Sequence, residues 1–273
     1  MTITRNHVGQ RTVRSALALA AAAPSVHNTQ PWRWVIGPCT VDLYADLSRW
    51  LPAADAQGRD MIVSCGAALH HLRVALAAAG LASSVQRMPN VDEPDHLATL
   101  RLHPCPADEG DLALAAAILR RRTDRRPFTS WEVPAAFVDE LSECATAQGA
   151  LLRPVTAPVS RARLIDAIRA EAEAQEASVA YLAERAVRNG PAADIADSAT
   201  ADLMRGAVAS GGGTASLSDG FAGQPSDGEP DGALLMVLAT APDDPLSQLR
   251  AGEALSAVLL HATELGLATC ALS

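Results

Sequence analysis

The sequence predicts a mixed helix-and-strand fold made of two related halves, and three observations carry that prediction. Apolar stretches of helical length alternate with short runs of two-residue periodicity, so both kinds of element occur along the chain. Two segments, "GAALHHLRVALAAAGLA" (Gly66 to Ala82) and "GEALSAVLLHATELGLA" (Gly252 to Ala268), share Gly, Ala, Leu at offsets 0, 2, 3 and Gly, Leu, Ala at offsets 14, 15, 16. Alanine-rich helices also match by chance; identities at both ends favour two related halves, as if a homodimer had been fused. Finally, 273 residues, 49% of them hydrophobic and 19% charged, suffice to bury a sizeable core in one large domain or two modest ones.

The elements follow in order. Thr12 to Ala23 reads as a helix stopped by Pro24, which lacks a donor and restricts the residue before it. "WRWVI" places Trp32, Trp34 and Ile36 on one face of a strand, and "TVDLYA" is a second strand. Gly58 to Gly80 is a long helix, apolar on most sides and hence central. "SSVQRM" and "LATLRL" supply two more strands. Helices are expected at Asp111 to Arg121 and over "VPAAFVDELSECATAQG", the latter closing at Gly149. "ALLRPV" is a strand, and "PVSRARLIDAIRAEAEAQEASVAYLAERAV" reads as one long amphipathic helix. From 189 to 231 the composition turns to Gly, Ser, Asp and Pro, the mark of a disordered segment or a lid. "GALLMVLAT" is expected as a buried strand and Pro245 to Gly266 as a helix.

Composition excludes several function classes. A net charge of −9 opposes attraction to a phosphate backbone, so nucleic acid is not expected as a partner. The run Ala16 to Ala23 is too short to span a membrane, and no cleavable signal is recognisable, which predicts a cytoplasmic protein. Five scattered cysteines, none in a CxxC pair, suggest reduced thiols and no zinc knuckle. No lysine occurs, so all 22 basic residues are arginine. That removes Schiff-base, P-loop and Ser-x-x-Lys chemistry. The motifs GxSxG, HExxH and GxGxxG are also missing.

Two stretches carry candidate chemistry. "APSVHNTQPWRWVI" places Ser25, His27, Asn28, Thr29 and Gln30 between a helix and a strand. Such side chains often bond their own backbone, but five polar residues between apolar elements suit a flat, heteroatom-rich ligand better. The histidines His27, His70, His71 and His103 show no spacing for tetrahedral metal coordination. "ILRRRTDRRPF" concentrates five arginines in the seven residues Arg120 to Arg126. Arginine forks pair bidentately with phosphate oxygens, and the Thr123 hydroxyl can add a hydrogen bond. The competing reading is a helix C-terminus whose dipole the arginines complement, with surface pairs to Asp124. Spacing alone leaves both open.

These stretches resemble known ones. "APSVHNTQPWRW" is similar to the Ser/Asn/Gln-Pro-Trp loop of FMN-dependent nitroreductases, and "RRRTDR" to their Arg-x-Ser/Thr-x-Arg phosphate motif. The order of the motifs, ending in "GEALSAVLLHATELGLATCALS", resembles the Acg-type, fused-dimer subgroup across essentially the whole chain. The resemblance implies an α+β nitroreductase-like fold with one FMN between two half-domains, 1–107 and 108–273. Arg121, Thr123 and Arg125 match the phosphate-binding positions. Ser25, Asn28 and Gln30 match the loop bordering the flavin ring, and Ala271, Leu272 and Ser273 match the segment passing its N5 edge. The first half has the loop without the arginines and the second has the arginines without the loop. One site per chain is therefore expected, and a monomer suffices to build it. Relatives continue past "LATCALS" into a helix and strand carrying another phosphate-contacting arginine, so a truncated C-terminus is expected.

The implied activity is NAD(P)H-dependent reduction of nitro compounds or quinones, in which the flavin carries the chemistry and no protein acid or base is named. The alternative is an FMN-sequestering or storage protein whose 189–231 segment forms a lid excluding the nicotinamide. A third reading is a flavin-free binding module.

Overall fold

Glycines and prolines punctuate the chain where the backbone must turn, and the elements between them follow. The computed structural model describes residues 9–126, 128–188 and 232–272. Helix α1 (Gln10–Ala20) closes in a short turn ahead of Pro24, leading to strands β1 (Trp32–Ile36) and β2 (Thr40–Ala45). Helix α2 (Arg59–Ala78) lies between Gly58 and Gly80, both at positive φ (68° and 78°), a region glycine enters without a side-chain clash. Strands β3 (Leu81–Arg87) and β4 (His96–Pro104) complete the first half.

These four strands form one antiparallel sheet in the order β1-β2-β4-β3. Alternation sets which face is covered: Val41, Leu43 and Ala45 of β2 are buried, while Asp42 and Tyr44 between them are only half-buried. The covered face packs against α1 and α2, joined by Trp32, Leu97, Leu100 and Leu102. By length and hydropathy α2 could cross a membrane, but most of it is buried inside this fold, as a central helix of a folded core is.

Helix α3 (Glu109–Arg120) starts two residues before the expected Asp111, because Asp108 and Asp111 form a reciprocal capping box. Its Ala117 and Ile118 enter the same core. Helix α4 (Ala135–Ala147) ends ahead of Gly149 at φ 86°, as the sequence predicts. Strand β5 (Leu151–Pro154) pairs antiparallel with β6 (Met236–Ala239), and helix α7 (Pro245–Glu264) packs over them with α4 to form a second, smaller core.

Two expectations are corrected. The long helix after Pro158 is two helices, α5 (Pro158–Ala177) and α6 (Val179–Arg188), parted at Ser178, whose backbone is extended and whose hydroxyl accepts the Tyr181 N–H at 3.3 Å. No residue of α5 is buried, so it lacks the apolar packing stripe expected of it. Strand β6 is half-buried and alternating, because within the described residues it belongs to a two-stranded sheet with one face uncovered. The expected lid at 189–231 lies outside the described residues.

The two related segments meet at the centre. Helix α2 crosses α7 with Gly66 against Gly252; a Cβ on Gly66 would come within 2.1 Å of the Leu249 carbonyl oxygen, and one on Gly252 within 2.0 Å of the Val63 carbonyl oxygen. Val63 precedes Gly66 as Leu249 precedes Gly252, so the two contacts mirror each other. His70 and Ser256 occupy equivalent places in the two segments and are hydrogen-bonded at 2.7 Å.

Candidate functional site

The polar loop is shaped by its neighbours before any ligand is considered. His27, Asn28 and Gln30 have φ of 48°, 56° and 49°, a left-handed region that costs a non-glycine residue about 1–2 kcal/mol. The loop is held in that form by several bonds. Val26 N–H donates to Ser64 Oγ of α2 (3.0 Å), Gln30 N–H to Ser25 Oγ (3.0 Å), and the Thr29 hydroxyl to the Val26 carbonyl (2.9 Å). The buried Cys65 thiol donates to the Pro31 carbonyl at 3.1 Å. Ser25 and Thr29 thus shape the loop, as such side chains commonly do. The side chains of Asn28 and Gln30 make no hydrogen bond to a described residue and remain available, Asn28 being exposed.

The arginine cluster divides into two groups. Arg122 donates to the Leu119 and Arg121 carbonyls (2.9 and 2.7 Å), closing the C-terminus of α3. Arg126 pairs with Asp124, its Nε 2.9 Å from Oδ1, and holds that carboxyl down at about 2. Arg120 is the last residue of the helix and exposed. These three satisfy the helix-end reading. Arg121 does not: it turns inward, with only long contacts of 3.5 Å to the Ala22 carbonyl and the Thr123 hydroxyl. Its Nε is buried without a partner, and no carboxylate among the described residues pairs with it. Burial, and then the charge of Arg122, lower its hold on its proton. A half-buried cation left this way is destabilising unless a partner meets it.

Three sequence-distant segments converge here. Thr123 bridges in parallel to Thr269, and Asp124 N–H donates to the Thr269 carbonyl at 2.9 Å. Residues 269–272 therefore run beside the arginines, with Ala271 and Leu272 exposed; Ser273 lies outside the described residues. Arg125 is exposed, and its charge acts on the neighbouring Cys270, whose thiol burial pushes up. Arg121 ties this group to Ala22, three residues before Ser25.

Sequence reasoning missed three contributors. Ser64 holds the loop from α2 but sits in a run that reads as plain core helix. Helix α6 reaches over the loop: Tyr181 is buried with its ring centroid 5.9 Å from that of His27, and the Glu184 carboxylate accepts the Ala53 and Ala54 N–H groups at 3.3 and 3.1 Å. His71 is fully buried in α2, and no local signal distinguishes it from its neighbour His70.

Burial lowers both His70 and His71 to about 3, with positive neighbours (Arg73 and Arg121 respectively) adding to the effect. Both stay neutral in the folded chain, whereas the unfolded chain protonates them near the ordinary value of about 6.5. The stability they lend is complete above that pH and is lost as pH falls toward 3, because only the unfolded state takes up protons in that window. We expect unfolding free energy to drop by roughly 1 kcal/mol per histidine between pH 7.5 and 6. Urea titrations at the two pH values check this, and a loss that His70→Gln leaves undiminished would contradict it.

No family model matches the chain. A protein of Mycobacterium tuberculosis H37Rv named "Putative NAD(P)H nitroreductase Rv3131" is 40% identical over 264 residues, covering 95% of this chain and 75% of its own. From the same strain, "Putative NAD(P)H nitroreductase acg" is 36% identical over 274 residues, covering 96% of this chain and 80% of its own. The crystal structure of a nitroreductase family protein from Streptococcus pneumoniae TIGR4 aligns at 19% identity over 50% of this chain and 90% of its own, with a TM-score of 0.31. On the extent and identity of the two mycobacterial matches, the chain is a member of the nitroreductase family.

Proposed function

We propose that this protein binds FMN and uses it to pass electrons from NAD(P)H to nitro compounds or quinones. The observation that carries the reading is Arg121, a half-buried guanidinium with no carboxylate partner among the described residues and a buried, unpartnered Nε. It sits beside Thr123 and the 269–272 segment. The donor set of Arg121, Thr123 and Arg125 fits a terminal phosphate monoester, which supplies the missing negative charge and several acceptor oxygens. FMN supplies such a phosphate together with a ring that accepts hydride and hands electrons on. In this reading the side chains of Asn28 and Gln30 and the exposed backbone of residues 271–272 border the ring.

We take the chain to comprise two related halves, 1–107 and 108–273, with one site between them. The mirrored contacts of Gly66 and Gly252 support this, as does the reach of Arg121 from the second half to Ala22 of the first. The runner-up is FMN sequestration. It draws support from α6, whose Tyr181 and Glu184 fasten it to His27 of the polar loop and to residues 53–54.

The visible spectrum of purified protein, before and after anaerobic NAD(P)H, tests the proposal. A yellow protein with one FMN per chain by released flavin, monomeric by light scattering and bleached by NAD(P)H, is expected. Yellow without bleaching favours sequestration. A colourless protein that takes up no added FMN refutes both.

A further inference from the structure

Among the described residues, three buried side-chain atoms lack a hydrogen-bond partner: His71 Nε2, Arg73 Nε and Arg121 Nε. Arg73 already has a carboxylate, Glu253, on its Nη1. The other two belong together, since the guanidinium of Arg121 is the foremost charge acting on the His71 ring.

The protonation of His71 follows from its contacts. Its Nδ1 lies 3.1 Å from the Ala67 carbonyl oxygen and 2.7 Å from Ser256 Oγ. A carbonyl oxygen only accepts, so Nδ1 carries the hydrogen and Nε2 of the neutral ring carries a lone pair. Ser256 Oγ shares that hydrogen with the Ala67 carbonyl and itself lies in hydrogen-bond contact with His70 Nδ1 at 2.7 Å. The chain from His71 through Ser256 to His70 therefore fixes the orientation of the ring and leaves an acceptor at Nε2.

We propose that His71 is the positioning residue for Arg121: its Nε2 accepts the Arg121 Nε–H when an anion engages the guanidinium, leaving the Nη1–Nη2 fork for phosphate oxygens. The proposal rests on the reading of Arg121 as a phosphate ligand. Chemistry explains the choice of residue. A carboxylate behind Arg121 would anchor it equally well but cancel the charge that draws the phosphate. A neutral imidazole anchors without cancelling, and the adjacent cation in turn keeps that imidazole unprotonated. The existing 3.5 Å contacts of Nη1 and Nη2 are weak enough to be exchanged for phosphate oxygens.

The experiment uses full-length protein with 15N-labelled histidine, following the His71 ring nitrogens by long-range proton–nitrogen NMR. Without ligand, His71 should show the Nδ1–H tautomer, and Arg121→Ala should move its Nε2 resonance. Adding FMN to the parent protein should shift Nε2 in the direction of hydrogen-bond acceptance. His71→Leu and His71→Gln both lose the bond to Ser256, but only Gln keeps an acceptor at similar reach. FMN affinity should fall about tenfold in the Leu variant and stay within about twofold of the parent in the Gln variant. Equal losses in both variants, no loss in the Leu variant, or a His71 spectrum indifferent to Arg121→Ala would overturn the proposal. If the parent protein binds no FMN, the flavin reading falls and inorganic phosphate becomes the probe. A phosphate-induced shift at Nε2 then upholds the pairing, and its absence refutes it.

Discussion

Replacing Gly252 with alanine is expected to cost about 3 kcal/mol or more of folding stability, at the upper end of what overpacking usually does. The added methyl would lie 2.0 Å from the Val63 carbonyl oxygen and 2.8 Å from the Gly66 Cα. Both obstacles are backbone, so no side chain can swing aside, and relief requires α2 and α7 to move apart. Their separation would loosen Leu249 and Leu260, which α7 contributes to the main core, and would shift the 269–272 segment that follows α7 past Gly266. On the proposed FMN reading, flavin retention should therefore fall together with the urea midpoint. Gly66→Ala meets the mirrored obstacle, the Leu249 carbonyl oxygen at 2.1 Å, and should behave alike. A Gly252→Ala protein unfolding within about 0.5 kcal/mol of the parent would show that the helices do not cross at this point.

That crossing was legible in advance only in part. The repeat marked Gly66 and Gly252 as equivalent, and Gly58, Gly80, Gly149 and Gly266 all bound helices with positive φ as punctuation predicts. Periodicity also found the four strands of the main sheet, because one covered face imposes strict alternation on β2. It did not see the break at Ser178, where a single hydroxyl offers the Tyr181 N–H an alternative to the helix bond. Nor could it see that α5 buries nothing, since a pattern states which face is apolar and not whether anything covers it.

The site divides along the same line. Family likeness picked out Arg121, Thr123 and Arg125, and composition marked the whole cluster as exceptional. Yet Arg121, Arg122 and Arg126 are equivalent as letters. What separates them is that Arg122 finds carbonyls at the end of its own helix and Arg126 finds Asp124 two residues away, whereas Arg121 turns toward Ala22, 99 residues distant. Local partners can be read from spacing. Partners supplied by the fold cannot, and for that reason Ser64, His71 and Tyr181 carried no signal.

Glu253 is the extreme case of a partner supplied by the fold, and Glu253→Ala is expected to cost about 3–5 kcal/mol, the range for removing one member of a buried ion pair. Its carboxylate is completely buried and shared by two arginines: Arg87 Nε at 2.6 Å and Nη2 at 2.9 Å, and Arg73 Nη1 at 3.0 Å. Those arginines come from β3 and α2, 166 and 180 residues away in sequence, and Arg73 is further held by Gln148 beyond α4 at 3.1 Å. Helices α2 and α7 and strand β3 thus meet at one carboxylate, with Gln148 bracing one of its arginines. Truncating it leaves two half-buried guanidinium groups facing each other without a counter-charge, and also a cavity. Glu253→Gln, isosteric but neutral, should lose less, because the amide oxygen still accepts one arginine. Since the carboxylate is shielded from solvent, the cost should change little between low and high salt, unlike that of an exposed pair. Denaturant unfolding of the three proteins at two ionic strengths decides the matter. A Glu253→Ala loss below about 1 kcal/mol, the level of a surface pair, or one that vanishes in salt, would show that this carboxylate does not join α7 to α2 and β3.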